Sequence, residues 1–297
     1  MPSIDPGQYV QIWVLWLSQR CAAVFDVAAH MLTATVRLVE QVLSTPAPLI
    51  VIAVLGAAPL LLRRFGLAAF AWAALWLILA MRLWAATVET LSLVLVSTAV
   101  AVMLGIPLGI GCSVNRTLSV ITRPALDFMQ TLPAYVYLIP AVFFFGVGTV
   151  PAVVATAIFA IPPAVRMTEL GLRQVDPELV EAAVAFGAHP WRVLREVRLP
   201  LARPTIMAGV NQVIMLALSM VVISGLVGGG GLGGLVVSAV TQLDIGAGFN
   251  SGLAVVLLAI YLDRTTAALG GASRPGAGRA ARAQRRRAAA TPSRSGT

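Results

Sequence analysis

Long apolar stretches most strongly limit how this chain can fold. Residues 88–111 hold one charged side chain, Glu89, and residues 150–165 hold none. A hydrocarbon core about 30 Å thick needs roughly 20 apolar residues per helix. With 59% hydrophobic residues, 11% charged residues and a mean hydropathy of +0.89, the 297-residue chain has more apolar surface than a water-soluble domain can hide. The sequence therefore predicts an all-α, polytopic membrane protein.

Apolar segments of suitable length recur along the chain. We expect about seven spans in a transmembrane domain that covers residues 46–264. Prolines in the middle spans predict kinked helices, which a membrane tolerates where neighbouring helices satisfy the freed carbonyls. The candidate spans are residues 48–62, 67–83, 88–111, 129–145, 150–165, 205–227 and 249–262.

The amino-terminal segment, residues 1–45, has a different pattern. Aromatic residues such as Trp13 and Trp16 alternate with charged ones such as Asp26 and Glu40. This mixture predicts an amphipathic helix in the outer membrane interface, with an eighth crossing as the alternative. This segment does not begin with a basic region followed by a cleavable apolar core, so we expect targeting through an uncleaved first span.

Arginine placement predicts the orientation. If the seven spans are taken in turn, Arg63, Arg64, Arg123 and the arginines of residues 166–203 fall on one side, and Arg82 is the exception. Cytoplasmic loops carry the positive excess, so the amino terminus is expected outside and the carboxyl terminus in the cytoplasm. The chain is therefore predicted to be a multi-pass membrane protein.

The net charge of +9 is concentrated at the carboxyl end. Eight arginines and no acidic residue follow Asp263. Residues 265–297 are also rich in Gly, Ala, Pro and Ser, which predicts a disordered basic cytoplasmic tail. Anionic lipid is the expected partner of such a tail. No aromatic residues interleave the arginines, so nucleic-acid binding is not expected.

A polar interruption at residues 176–200 separates two apolar segments. Asp176 is a favoured N-cap residue, and Gly187 permits the left-handed turn that ends a helix. Pro190 is expected to open a second helix, and Pro200 to close it. The segment therefore predicts two short cytoplasmic helices that a soluble partner can grip. The alternative is a loop that packs only on its own membrane domain.

The same segment carries a family resemblance. Its residues have the order and spacing of an E-A-A-x3-G-x9-I-x-L-P signature, with Val197 in place of Ile. The segment thereby resembles the permease subunits of binding-protein-dependent, ATP-driven bacterial importers, which carry this signature. Residues 127–134, 211–223 and 230–233 are similar to the subgroup that imports glycine betaine and proline betaine. The resemblance covers residues 46–264. The matching residues are Glu181, Ala182, Ala183, Gly187, Leu199 and Pro200.

The resemblance implies a fold, partners and a mechanism. It implies a type I ABC importer (MetI-like) transmembrane domain that pairs with a second permease copy. Two ATPase subunits would bind ATP and Mg on the cytoplasmic side, and an extracytoplasmic binding protein would deliver the solute. A coupling helix would dock in a cleft of the ATPase. The implied coupling residues are Glu181, Ala182, Ala183, Phe186, Gly187, Leu199 and Pro200.

The chain itself lacks nucleotide chemistry. The glycine run at residues 228–231 is not followed by Lys-Ser or Lys-Thr, and the sequence contains no lysine. Cys21 and Cys112 do not have metal-type spacing, and no histidine pair does either. We therefore expect no cofactor, no metal site and no catalytic residue in this chain.

Aromatic and methionine side chains are candidates for the solute pathway. Aromatic faces hold a quaternary ammonium by cation–π attraction of about 0.5–2 kcal/mol each. The alternative role for these residues is ordinary packing. Another small solute and a secondary transporter are the competing functions, although the second should show ionisable residues at mid-membrane. The candidates are Tyr135, Tyr137, Phe144, Met215 and Met220.

Overall fold

The computed structural model describes residues 6–271, and this part of the chain is helical without strands. A 3₁₀ turn, Ala134–Tyr137, precedes α7, and a π-helical stretch, Val193–Arg198, joins α10 to α11. The α-helices are α1 (Pro6–Arg20), α2 (Ala22–Ser44), α3 (Pro48–Leu61), α4 (Phe65–Ala80), α5 (Trp84–Val114), α6 (Arg116–Thr131), α7 (Leu138–Phe145), α8 (Thr149–Arg173), α9 (Pro177–Ala185), α10 (Pro190–Arg192), α11 (Leu199–Ser224), α12 (Gly231–Gln242) and α13 (Ile245–Gly271).

Helices α5, α8 and α11 form the centre of the molecule, and glycines allow their backbones to approach closely. A Cβ on Gly105 of α5 would lie 2.5 Å from the Cβ of Ala164 on α8. A Cβ on Gly209 of α11 would lie 2.6 Å from the Cβ of Met167. Small residues serve this purpose between membrane helices, where lipid provides no hydrophobic driving force for helix association. This role of the two glycines was not predicted from the sequence.

The remaining long helices surround this centre and share one apolar core. Ile52 of α3, Leu75 of α4 and Leu258 of α13 are each about 1% exposed and pack in the same cluster. The hydroxyl of Tyr261 on α13 donates a hydrogen bond to the carbonyl of Leu55 on α3, at 2.9 Å. The amino-terminal and carboxyl-terminal halves of the chain are therefore packed against each other.

Five of the described helical segments are long and apolar enough to cross a membrane. A sixth results if α6 and the bent segment after it form one crossing. The predicted spans 48–62 and 67–83 correspond to α3 and α4, which have 14 and 16 residues and are shorter than a typical span. The count of about seven crossings stays a prediction. The five are α2, α5, α8, Pro190–Val227 and α13.

The amino-terminal segment contains two helices, α1 and α2, which meet at Cys21. Helix α2 has 23 residues and satisfies the length and composition of a crossing. Its Val36 is 4% exposed and belongs to the main core cluster. The interfacial position of this segment stays a prediction, and α2 is the helix that would form the eighth crossing.

The predicted span 129–145 is not one continuous helix. Helix α6 ends at Thr131, and the helical segment from Ala134 continues at an angle of 109° to it. Leu132 has an extended backbone, with φ −69° and ψ 134°. The ring of the following Pro133 disfavours the helical conformation at Leu132, which explains the break.

Two further boundaries differ from the sequence analysis. Residues 231–242, which lie between the predicted spans 205–227 and 249–262, form helix α12. The first part of the predicted tail, residues 265–271, continues α13, where Ala268 is 6% exposed. This part is helical because it packs on α11: a Cβ on Gly270 would lie 3.0 Å from the Cβ of Met207. Residues 272–297 of the predicted tail lie outside the described residues.

Candidate functional site

Helix α9 begins and ends at the residues that the sequence indicated. The carboxylate of Asp176 accepts a hydrogen bond from the backbone N–H of Glu178, at 3.0 Å. At the other end Gly187 has φ +79°, and the Ala188 N–H donates to the carbonyl of Ala183 at 3.1 Å. The Gly187 N–H donates to the carbonyl of Val184 at 2.8 Å, which completes a Schellman motif. Helix α9 is therefore a short, well-capped unit.

Large apolar side chains of this unit face outwards. None of the residues of α9 is buried, and Phe186 is 93% exposed. Single exposed apolar residues are normal on a protein surface, whereas several grouped on one helix pair indicate an interaction site. We call this group the docking surface. It comprises Leu179, Val184, Phe186 and Trp191.

The second helix starts as predicted but does not stop at Pro200. His189 Nδ1 accepts a hydrogen bond from the Trp191 N–H, and helix α10 begins at Pro190. The chain then continues through the π-helical stretch, where the Leu199 N–H donates to the carbonyl of Leu194 five residues earlier. This wider turn lies directly before Pro200. The helix therefore continues through Pro200, although proline cannot donate a backbone hydrogen bond. The expectation that Pro200 ends the helix is wrong.

An apolar cluster fixes the π-helical stretch to the long helices. Leu172 of α8, Leu194 of the π-helical stretch and Ala202 of α11 are buried together, and Leu199 packs against them. Helix α9 contacts the same π-helical stretch. Two clefts flank α9: one of about 310 Å³ includes Trp191 among its lining residues, and one of about 430 Å³ includes Glu181. Helix α9 is therefore connected to the ends of α8 and α11 through the π-helical stretch.

The implied coupling residues lie in two places. Glu181, Ala182 and Phe186 are exposed on or directly after α9, and Ala183 is half-buried. Leu199 and Pro200 lie at the start of α11 instead, with Leu199 half-buried and Pro200 exposed. A Cβ on Gly187 would meet no atom within 4 Å, so its positive φ explains the glycine and lack of space does not.

The structure brings together two of the five pathway candidates. Tyr137 and Met220 belong to one buried cluster, in which Tyr137 packs edge-on against Phe159 with ring centroids 5.8 Å apart. The Tyr137 hydroxyl also donates a hydrogen bond to the carbonyl of Met129. The ring of Tyr137 is thus engaged in packing within this chain.

The other three candidates lie apart. Tyr135 is 59% exposed, and Met215 is 52% exposed beside a groove of about 140 Å³ between α11 and α13. Phe144 stacks on Phe25 of α2, with ring centroids 4.6 Å apart. A single aromatic cage does not form from these five residues within one copy of the chain.

Two carboxylates to which the sequence pattern assigned no role have defined partners. Glu89 of α5 accepts a hydrogen bond from the Gly231 N–H at 2.7 Å, so it caps the start of α12. A Cβ on Gly230 would lie 1.9 Å from Glu89 Oε1, which explains the glycine there. Glu169 of α8 forms an ion pair with Arg173, at 2.9 Å. The i,i+4 spacing of Glu169 and Arg173 was the available sequence signal for this pair.

A bundle of apolar helices that presents one capped helix pair with exposed apolar side chains is typical of a membrane protein that contacts another protein. The family described as binding-protein-dependent transport system inner membrane component matches residues 101–269. This chain belongs to that family, so it is a membrane permease subunit.

Curated relatives agree with this assignment. The glycine betaine/carnitine transport permease protein GbuB of Listeria monocytogenes is 54% identical over 206 residues, which cover 69% of this chain and 73% of that protein. The glycine betaine transport system permease protein OpuAB of Bacillus subtilis is 44% identical over 266 residues, which cover 90% and 94%.

A solved structure confirms the predicted fold class. An inward-facing conformation of the MetNI methionine ABC transporter has a TM-score of 0.56 to this chain at 23% identity. The match covers 63% of this chain and 94% of that one. The type I, MetI-like importer fold expected from the sequence is therefore the fold of this protein.

Proposed function

We propose that this permease carries quaternary ammonium compatible solutes of the glycine betaine and proline betaine class into the cell, driven by ATP that a partner subunit hydrolyses. The observation that carries the proposal is the docking surface, which stands on a helix bearing the E-A-A and glycine pattern. Both relatives described above are named for glycine betaine. Carnitine, which one of those names includes, has the same trimethylammonium group and is the first alternative solute.

The partners follow from the same assignment. Two ATPase subunits, which hold ATP and Mg, receive α9 of each of two permease copies, and an extracytoplasmic binding protein delivers the solute. Glu181, exposed on α9, is placed to pair with a basic group of the ATPase. Leu199 and Pro200 begin the helix that continues into the membrane. The amino terminus is placed outside and the docking surface in the cytoplasm.

ATP binding closes the ATPase dimer and displaces α9 together with α10. The buried cluster around Leu172 and Leu194 transmits this displacement to α8 and α11. Two packed arrangements of these helices then expose the pathway to one side or the other. Tyr135, Tyr137, Phe144, Met215 and Met220 remain the candidate pathway residues, completed by the second copy of the chain.

Uptake by proteoliposomes tests this proposal. The permease is reconstituted with its ATPase and binding protein, and accumulation of labelled glycine betaine is compared with ATP inside the vesicles or with a proton gradient alone. We expect accumulation only with ATP, and competition by proline betaine and carnitine. Accumulation driven by the gradient without ATP contradicts the proposal. Transport of an unrelated solute alone contradicts the substrate class.

A further inference from the structure

Glu169 is a buried carboxylate near the end of α8 that is bonded to a second helix. Its side chain is 7% exposed. Its Oε1 accepts hydrogen bonds from Ser119 Oγ at 2.7 Å and from Arg123 Nη2 at 3.0 Å, and both donors lie on α6. Arg173, one turn further along α8, forms an ion pair with Glu169, in which Nε lies 2.9 Å from Oε1. We call these four residues the Glu169 junction.

Arg173 extends the junction to a third helix. Its Nη2 donates a hydrogen bond to the carbonyl of Cys112, at 3.0 Å. Cys112 lies in the last turn of α5, where the free carbonyls carry partial negative charge. The guanidinium of Arg173 thus bridges the end of α5 to Glu169, and the Glu169 junction joins α5, α6 and α8.

The position of the junction relates it to the docking surface. Helix α8 ends at Arg173, and α9 begins at Pro177. In the other direction α6 leads to the bend at Pro133 and on to Tyr137, which packs in the cluster with Met220. The Glu169 junction therefore lies between the helix that would contact the ATPase and the bent segment that contains pathway candidates.

We propose that Glu169 is a positioning residue for coupling: it makes α6 move together with α8 when α9 is displaced. This rests on the proposed function, in which α9 receives the ATPase. Charge-assisted hydrogen bonds are directional, and a buried carboxylate that loses its partners is left with an uncompensated charge. The sliding of α6 along α8 is therefore opposed by the junction.

Other contacts between these helices constrain α6 less. Leu126 of α6 packs against Val165 of α8, but apolar contacts are not directional. The ion pair of Asp127 with Arg166 has side chains that are 64% and 38% exposed, and exposed pairs contribute little. Glu169 is thus the main directional tie between α6 and α8.

The double variant Ser119→Ala with Arg123→Gln tests the proposal, because it removes both donors of α6 and leaves the pair of Glu169 with Arg173 intact. Arg116→Gln is the matched control, since it removes an exposed arginine from the same helix. In the complete reconstituted transporter we expect solute carried per ATP hydrolysed to fall about fivefold in the double variant, with ATPase activity within about twofold of wild type. The control is expected to match wild type.

A distance measurement separates positioning from folding. Spin labels are placed at Val120 on α6 and Glu178 on α9, both exposed, after Cys21 and Cys112 are changed to serine. Serine at position 112 keeps the carbonyl that Arg173 contacts. We expect one narrow distance distribution in wild type and a broad one in the double variant, in the complete transporter with and without ATP.

Two results for the double variant overturn the proposal. One is an unchanged distance distribution. The other is an unchanged ratio of solute to ATP, including the case in which uptake and ATPase activity fall in proportion, which indicates a merely structural role. Glu169→Gln and Glu169→Asp add a second comparison: the carboxylate-retaining Asp variant is expected to couple better than the Gln variant, and equal coupling contradicts the proposal. If wild type itself fails to couple ATP to uptake, the proposed function fails, while the label distances still test the junction.

Discussion

Removal of one aromatic side chain should separate binding of the ATPase from stability of the permease. Phe186 is 93% exposed, so the folded subunit gains little from it. Full burial of a Phe side chain contributes about 1.5–3 kcal/mol. If the ATPase covers Phe186, the Phe186→Ala variant is expected to bind it about 10- to 150-fold more weakly, because every 1.4 kcal/mol is roughly tenfold in affinity. Affinity is measured by titrating the ATPase against the permease in lipid nanodiscs.

The matched control is Phe249→Ala, which removes a phenylalanine that is 69% exposed near the start of α13, on the predicted outer side. Its affinity for the ATPase is expected to equal that of wild type. Thermal unfolding of both variants should stay close to wild type, since neither side chain is buried. Unchanged affinity of the Phe186→Ala variant, or an equal loss in both variants, would refute the reasoning.

Two further substitutions probe the backbone. Gly187→Ala places a Cβ at φ +79°, at a cost of about 1–2 kcal/mol. This variant is expected to bind the ATPase more weakly than Gly187→Asn, because asparagine tolerates a left-handed backbone. Titration of the ATPase in nanodiscs measures both affinities, and equal values would contradict an effect of backbone strain. Gly109→Ala puts a Cβ 2.6 Å from the Val165 carbonyl oxygen and 2.7 Å from Thr168 Cβ, so we expect the free energy of unfolding in detergent to fall by about 1–3 kcal/mol. Gly66→Ala, where the Cβ would have no atom within 4 Å, is the control and should leave thermal unfolding unchanged. Equal melting temperatures of the two variants would be inconsistent with tight packing at Gly109.

The sequence predicted the parts of the fold that local chemistry determines. An apolar composition requires membrane helices, and Asp176 and Gly187 are residues whose side chain or missing side chain defines a helix end. Both ends of α9 were therefore predicted from the sequence. The prolines of the middle spans predicted kinks, but the 109° break at Pro133 was not predicted, because proline in a membrane helix is compatible with either a kink or a break.

Features that depend on contacts between distant residues were missed. Gly105 and Gly209 read as ordinary members of apolar spans, and only the packed structure shows what a Cβ would meet there. Glu169 and Ser119 are 50 residues apart in the chain, so periodicity carries no sign of their hydrogen bond. Helix α12 was missed because its glycine-rich start, which Glu89 caps from α5, resembles a loop in sequence.

Candidate pathway residues carry a weaker sequence signal than candidate docking residues for a physical reason. An aromatic side chain that holds a solute and one that packs in a core have the same local sequence signal. Tyr137 illustrates this, since it is buried with Met220 and its hydroxyl bonds to the carbonyl of Met129. The candidate docking residues, in contrast, include large apolar groups on a capped polar segment, where Phe186 is 93% exposed. Both sets stay predictions.

Amide hydrogen exchange of the permease with and without its ATPase shows whether the ATPase covers α9 and α10. We expect slower exchange in α9 and α10 when the ATPase is added, and unchanged exchange in the turn at residues 228–230, on the predicted outer side. Exchange in α9 that does not change on complex formation, or slowing confined to the turn at residues 228–230, would contradict the proposed contact.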